Sequence, residues 1–259
     1  MGTERTPRRR RDGVTSRHLR LFAFAASASA LPACVDALLG HVAPSPALSP
    51  SAIARACSEA AASEPHPFIV DWESARLADF EARAARGTVF VRYDGCAVEI
   101  LQECGDSHLG TYAPPDAVTP MLEVVDMKTE GELYERLPLG AAQLAVGVRS
   151  GNAVRLKYVT SGVATSTRPS IYSADLSGLT GCDGATHFIA AFDVGAFALT
   201  TVEGGASSKD GGAGSSSVGE GQLRLGGDFQ TCQSEDRGHC QVPLRLTLRK
   251  ITQGAGPPP

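Results

Sequence analysis

Apolar residues alternate with polar or small residues along several stretches of the chain, the period-two pattern of strands that bury one face. The longest pattern, Leu144 to Val159, predicts a β-hairpin whose strands are joined by the loop Ser150–Asn152. Charged side chains fall on its other face, as in an antiparallel sheet with one face in water. The apolar positions predicted to share the buried face are Leu144, Val146, Val148, Val154, Leu156 and Tyr158.

Several further stretches predict strands. Residues Thr88–Tyr93 and Ala97–Leu101 flank Asp94 and Gly95, which predicts a second hairpin. Residues Ala185–Thr201 are almost continuously apolar and predict two core strands with a break near Gly195. Shorter strands are predicted at Phe68–Val70, at Met121–Val125 and around Leu244, Leu246 and Leu248.

Two segments carry helix signals. The first begins with Asp71 as N-cap, runs to Arg86 and has Gly87 at the position where helices end. The second begins with the capping box of Thr129 and Glu132 and stops before Pro138. Together with the strands, these helices predict an α+β fold, a mostly antiparallel sheet with two or so helices in a single disulfide-stapled domain.

Composition divides the chain into segments. Residues 34–67 are rich in Pro, Ala and Ser and predict a tether, in which Ile53–Ala62 is the one stretch compatible with a helical turn or two. The folded domain is predicted at residues 68–251, interrupted by a flexible Gly/Ser-rich insertion at 203–221. Residues 252–259 end in three prolines and predict a disordered tail.

Residues 1–33 predict an export signal. Seven arginines precede an apolar run of about 13 residues, Leu21–Ala33, which is too short to span a bilayer. The run ends in Leu31, Pro32, Ala33 and Cys34, and here the chain resembles bacterial lipoprotein precursors with their Leu-x-(Ala/Gly)-Cys lipobox. The alternatives are an ordinary signal peptide with a coincidental cysteine, or an arginine-rich disordered N-terminus.

The resemblance implies that Cys34 is lipidated and becomes the first residue of a membrane-anchored protein facing the periplasm or the cell surface. In this family, Asp directly after the cysteine favours the inner membrane. Val35 stands there instead, which favours the outer membrane.

The body carries a second resemblance. VRYDGC (Val91–Cys96), LPLGAAQL (Leu137–Leu144), GCDGATHFIAAFDVGAFAL (Gly181–Leu199) and PLRL (Pro243–Leu246) are similar to uncharacterised predicted lipoproteins of myxobacterial type. This resemblance implies an envelope location and carries no activity.

The cysteine count fits export. The chain has seven cysteines, so six remain beside Cys34 and suit three disulfides in an oxidising compartment. Six cysteines allow 15 pairings. Sequence proximity favours Cys96 with Cys104 and Cys232 with Cys240, which leaves Cys57 with Cys182.

Charge argues against nucleic acid as a partner. The whole chain has a net charge of −4, and removal of the arginine-rich head makes the remainder more acidic. Nucleic-acid affinity depends on cationic contacts to phosphates, so we expect no nucleic-acid binding.

Two possible chemical sites are weak. Cys182, Asp183 and His187 contain the residue types of a thiol nucleophile site, but a disulfide at Cys182 is the simpler interpretation. Zinc could be bound by Cys232, His239 and Cys240, or with help from His108, which is near Cys104 in sequence. Adjacent His239 and Cys240 are awkward as joint ligands, and the chain has no paired C-x-x-C motif. The sequence therefore predicts no catalytic residue, metal or cofactor.

These observations lead to two hypotheses. The first is a membrane-anchored envelope lipoprotein with a non-catalytic domain that binds an envelope protein or glycan. The alternative is an exported hydrolase that depends on the Cys182 thiol or on His187, and the sequence leans against an enzyme.

Overall fold

The computed structural model describes residues 47–62, 65–105, 107–203, 220–233 and 240–256. They form a seven-stranded, wholly antiparallel sheet with five α-helices and two short 3-10 helices. The predicted α+β class is confirmed, with more helices than the two or so expected. The strands are β1 (Phe90–Tyr93), β2 (Val98–Ile100), β3 (Asp116–Met127), β4 (Ala153–Thr165), β5 (His187–Val202), β6 (Glu220–Gly226) and β7 (Val242–Lys250).

Helices α1 to α4 precede most of the sheet in the chain, and α5 lies between β6 and β7. The helices are α1 (Pro50–Ala62), α2 (Ser74–Ala84), α3 (Glu130–Arg136), α4 (Ala141–Arg149) and α5 (Phe229–Gln233). On one sheet face, α2 packs over β1, β2 and β7, while α3 and α4 pack over β4. Short segments and two disulfides pack on the other face.

Strand β5 organises the sheet. Its sixteen residues are mostly β-branched, aromatic or small, and it pairs with β1, β4, β6 and β7. The predicted break near Gly195 is wrong, because the strand continues through it. Gly195 is needed for close packing, since a Cβ there would lie 1.8 Å from the Val159 carbonyl oxygen of β4.

The predicted hairpin Leu144–Val159 is wrong in its first half. Its alternating residues belong to helix α4, and only the second half is a strand, β4. The reason is that Ala141, Ala145 and Val148 also recur at helical spacing, and these three are buried. Val146, which the hairpin would have buried, is instead 60% exposed.

The other helix predictions have mixed outcomes. The capping box is confirmed: the Thr129 hydroxyl accepts from the Glu132 N–H, and the Glu132 carboxylate accepts from the Thr129 N–H. The predicted N-cap Asp71 is wrong, because α2 begins three residues later and Glu73 takes that position. The hairpin around Asp94 and Gly95 is confirmed as β1 and β2.

The predicted tether is wrong from residue 47 onward. Part of it forms helix α1, whose Cys57 is bonded to Cys96. The Leu48 N–H donates to the buried Glu130 carboxylate at 2.6 Å, and the carbonyl of Pro67 accepts from a backbone N–H of β7. The packed domain therefore begins about twenty residues earlier than predicted.

Two other segment boundaries differ from those predicted from the sequence. Residues 220 and 221, predicted as flexible insertion, belong to β6, whereas 204–219 lie outside the described residues. The predicted disordered tail is ordered at its start, because Thr252 bridges to Tyr172. Within the described residues, no helix has the length and apolar composition that a membrane crossing needs.

All six cysteines after Cys34 form disulfides, but two of the predicted pairs are wrong. Cys96 is bonded to Cys57 rather than to Cys104, and Cys104 is bonded to Cys182. The predicted pair Cys232–Cys240 is present. Sequence proximity failed at Cys96 because the hairpin of β1 and β2 turns it toward α1. Cys34 itself lies outside the described residues.

Candidate functional site

A cleft of 480 Å³ lies between the start of α2 and the edge strand β6. We call it the Trp72 cleft. Trp72, Ser74 and Leu77 line one wall, and Phe197 of β5 with residues 222–226 of β6 lines the other. Clefts of this size are typical of small-molecule sites, and the residues that line this one are both polar and apolar.

The Trp72 indole is fixed by its surroundings. The side chain is only 4% exposed, its ring packs edge-to-face against Phe80, and the Arg76 guanidinium carbon lies 4.7 Å from the ring centroid. Its Nε1–H is buried and has no hydrogen-bond partner within the described residues. A buried donor without a partner costs about 1 to 3 kcal/mol, so this N–H is a local cost in the fold, and it is buried away from the solvent-filled part of the cleft.

Two further charged groups lie near the segment that precedes α2. The Arg224 Nη1–H donates to the Trp72 carbonyl oxygen at 2.8 Å, which joins β6 to the start of α2. The Asp71 carboxylate lies against Gly140, where a Cβ would approach its Oδ2 to 2.3 Å, and Asp71 Oδ1 is buried without a partner. Burial raises the pKa of Asp71 to about 6, partly opposed by its own backbone N–H and by Arg224 and Arg76.

Strand β6, which borders the cleft, carries two solvent-exposed leucines. Leu223 and Leu225 of β6 are 41% and 57% exposed. Among the described residues, β6 pairs with β5 alone, so it is an edge strand of the sheet as described. Large apolar side chains exposed on an edge strand are typical of a surface that contacts a partner.

Three other cavities, of 310, 370 and 500 Å³, occur in the described part of the chain. The first is lined by Arg83, whose Nε donates to Asp79 at 2.9 Å. The second lies between α1 and α3, and the third lies around Cys182. The Trp72 cleft differs from these three in being bordered by an edge strand with exposed leucines, so it is the stronger candidate site.

The predicted thiol site does not form. Cys182 is bonded to Cys104 and therefore has no thiol to act as nucleophile. His187 is buried in the sheet, its ring packs against Tyr93, and its Nδ1 lies 2.9 Å from the Thr186 hydroxyl. Burial and the charge of Lys250 lower the pKa of His187. The thiol form of the hydrolase hypothesis is thereby excluded, and His187 has the surroundings of a core histidine.

The residues weighed for zinc do not assemble either. Cys232 and Cys240 are bonded to each other and Cys104 to Cys182, so none offers a thiolate. His239 lies outside the described residues. Across the described ranges, no three His, Cys, Asp or Glu side chains are grouped so that they could hold a metal ion.

Sequence analysis missed the Trp72 cleft. Its two walls are 152 positions apart at the Arg224–Trp72 contact, and no motif connects them. One signal was available, because Trp72 is the single tryptophan of the chain and follows an acidic residue at the start of a helix.

No protein-family model and no curated protein sequence matches this chain. One solved structure, described as "Trapped Toxin", is similar over 64% of this chain at 11% sequence identity and a TM-score of 0.29. This chain spans about half of that structure, 51% of its length. A similarity at this level carries no argument about fold or function.

Proposed function

We propose that the chain is a lipid-anchored protein of the bacterial cell envelope and that its disulfide-stapled domain binds a partner without catalysis. The Trp72 cleft is the proposed binding site. The observation that carries the binding proposal is the pair of solvent-exposed leucines, Leu223 and Leu225, on the edge strand β6 that borders the cleft.

Cysteine usage supports export and anchoring. Three disulfides use six of the seven cysteines, and disulfides persist in oxidising compartments. The remaining cysteine is Cys34, which is the residue that the lipobox resemblance assigns to lipidation. More than one acyl chain is needed for stable anchoring, so we expect both the Cys34 thiol and the new amino terminus to be acylated.

The early start of the folded domain limits its distance from the membrane. Leu48 is already held by Glu130, so fourteen peptide steps separate the proposed lipid attachment at Cys34 from the domain. At about 3.4 Å per residue, these steps reach at most about 50 Å. The proposed anchor would therefore keep the domain close to the membrane surface, which favours a partner in the envelope over a freely diffusing one. The residue after Cys34 favours the outer membrane.

The anchor can be tested with the full chain expressed in a Gram-negative host. We expect the detergent-extracted protein to have the mass of a chain that begins at acylated Cys34, and to fractionate with the outer membrane. Cys34→Ser should lose the acyl mass, while Ser29→Ala, a change in the same apolar run outside the lipobox, should retain it. An unprocessed wild-type chain in the soluble fraction would refute the lipoprotein proposal.

A further inference from the structure

We propose that one face of the sheet docks the domain onto an anionic lipid surface. This inference rests on the proposed function in one respect, that the chain is anchored in the cell envelope. It concerns a surface other than the Trp72 cleft, which we call the open sheet face. The residues that define it are Leu122, Val124, Lys157, Ala198 and Leu225.

Strand register places these side chains on one face of the sheet. Val124 of β3 pairs with Lys157 of β4. Lys157 in turn pairs with Ala198 of β5, and Ala198 pairs with Leu225 of β6. Residues directly opposite each other in neighbouring strands project from the same face, and Leu122, two positions before Val124, lies on that face as well. Strand β6 therefore borders the Trp72 cleft on one face and the open sheet face on the other.

The large apolar side chains of the open sheet face are exposed to solvent. Leu122, Val124 and Leu225 are 50%, 52% and 57% exposed. Helix α5 and its disulfide pack against Val159, the residue opposite Leu122, and cover the sheet there. Exposed apolar side chains that lie together beside a covered part of a sheet are typical of a surface that contacts a partner.

Cationic side chains flank these apolar residues. Arg155, two positions before Lys157 on β4, forms an ion pair with Asp126 in which Nε lies 2.6 Å from Oδ1. The hydrogen bond from Arg155 lowers the pKa of the Asp126 carboxyl, and partial burial opposes that shift. The charges of Lys128 and Lys157 lower the same pKa further, so both lysines lie near this carboxylate. Three cations and one carboxylate give this cluster a net charge of +2, although the whole chain has −4.

An anionic lipid surface fits this combination of groups. Apolar side chains that enter the headgroup region and cations that attract anionic headgroups are the two contributions to interfacial membrane binding. A second copy of the chain would instead bring another cationic cluster to the interface, and like charges across an interface cost free energy.

The proposed anchor keeps such a surface within reach. Leu48, where the packed domain begins, lies on the helix side of the sheet, at most about 50 Å of chain from Cys34. The sheet and its helix layer are together about 20 Å thick. The connecting chain is therefore long enough to reach Leu48 while the open sheet face contacts the bilayer.

Vesicle binding by the full chain carrying Cys34→Ser tests the surface without the anchor. The exported, disulfide-bonded protein is sedimented with vesicles of equimolar phosphatidylglycerol and phosphatidylcholine, and with vesicles of phosphatidylcholine alone. We expect saturable binding to the anionic vesicles, and binding about tenfold weaker to the zwitterionic vesicles. Salt at about 1 M, where the Debye length is about 3 Å, should weaken the anionic binding similarly. Absence of binding to the anionic vesicles, or equal binding to both kinds, would overturn the inference.

A matched pair of valines tests the location. Val124→Asp puts a carboxylate beside Lys157, and we expect it to weaken binding to the anionic vesicles about tenfold. Val146→Asp makes the same change at a valine that is 60% exposed on α4, on the other side of the sheet, and should leave binding unchanged. Circular dichroism checks folding, and Leu225→Asp, at the other end of the row, replaces Val124→Asp if that variant does not fold. Equal losses on the two sides of the sheet would refute the assignment to the open sheet face.

The vesicle assay and the lipidation test fail independently. Acylation of the wild-type chain at Cys34, without vesicle binding by the Cys34→Ser chain, would overturn the docking surface and leave the anchor in place. Vesicle binding together with a wild-type chain that is not acylated would overturn the anchor and retain the docking surface. Sedimentation velocity without vesicles gives the mass of the protein, and a dimer that Val124→Asp dissociates would identify a second copy as the occupant and overturn the inference.

Discussion

Removal of individual disulfides tests the connectivity through its energetic consequences. Cys104–Cys182 closes a loop with a sequence separation of 78, and Cys232–Cys240 one of 8. In the chain-entropy description, the first stabilises the fold by about 4.5 kcal/mol and the second by about 2.5 kcal/mol. All four cysteines are buried, so replacing either pair by alanine removes similar packing. We therefore expect the two double variants to differ by about 2 kcal/mol in free energy of unfolding.

The assay is urea unfolding, followed by Trp72 fluorescence, of chains exported to the periplasm. A Cys34→Ser background avoids both acylation and a free thiol. The free energies of unfolding come from linear extrapolation to zero denaturant, and non-reducing peptide mapping of the parent chain gives the pairing directly. Loss of equal stability in the two double variants would refute the loop-length argument. Mapping of a Cys96–Cys104 bond would refute the connectivity itself.

Three further predictions are tested with single substitutions, by urea unfolding or by proteolysis. Because burial raises the folded pKa of Asp71 from 3.8 to about 6, the unfolded chain loses its proton first as pH rises. The free energy of unfolding of the wild-type chain therefore falls by about 3 kcal/mol between about pH 4 and pH 6. Since Asp71→Asn does not titrate, its free energy of unfolding should rise by that amount relative to wild type between about pH 4 and about pH 8. A difference between the two chains that does not change with pH would contradict this. Glu130→Ala removes the carboxylate that accepts from the Leu48 N–H and should make residues 47–62 more sensitive to protease, and unchanged cleavage would show that this contact is unimportant. Gly195→Ala should lower the free energy of unfolding by about 3 kcal/mol, because the added methyl group overpacks β5 against β4. The control Gly147→Ala lies on a helix with open space around the added methyl group and should be neutral or stabilising. Similar effects of the two variants would contradict the described packing of β5.

Local patterns predicted the elements where only one periodicity was present. Strand β1, strand β2 and the start of α3 follow directly from alternation and from the Thr129 capping box, both of which act over a few residues. The segment 141–149 satisfies both periods, since Leu144, Val146 and Val148 alternate while Ala141, Ala145 and Val148 follow helical spacing. Packing of α4 against β4 decides in favour of the helix, and that contact is not visible from the segment alone.

Cysteine pairing could not be predicted from the same local information. The number of cysteines predicted three bonds, but the partners depend on how distant segments meet. Cys57 reaches Cys96 only because α1 lies against the domain instead of forming part of a tether. The proline-rich composition of residues 34–67 concealed this contact, because Pro65 and Pro67 accept β7 hydrogen bonds through their carbonyls, which do not need the N–H that proline lacks.

The Trp72 cleft depends on two long-range features of the sheet. The hydrogen bond from the Ile69 N–H to the Leu244 carbonyl places the segment before α2 beside β7, and the pairing of β6 with β5 brings Arg224 to the same region. The register of β6 then determines what the cleft presents, because a shift of one residue would exchange the faces of its side chains. Arg224 would no longer be directed at the Trp72 carbonyl, and the contact that joins β6 to the start of α2 would be lost. The candidate site is therefore a product of strand register, which explains why composition and motifs did not indicate it.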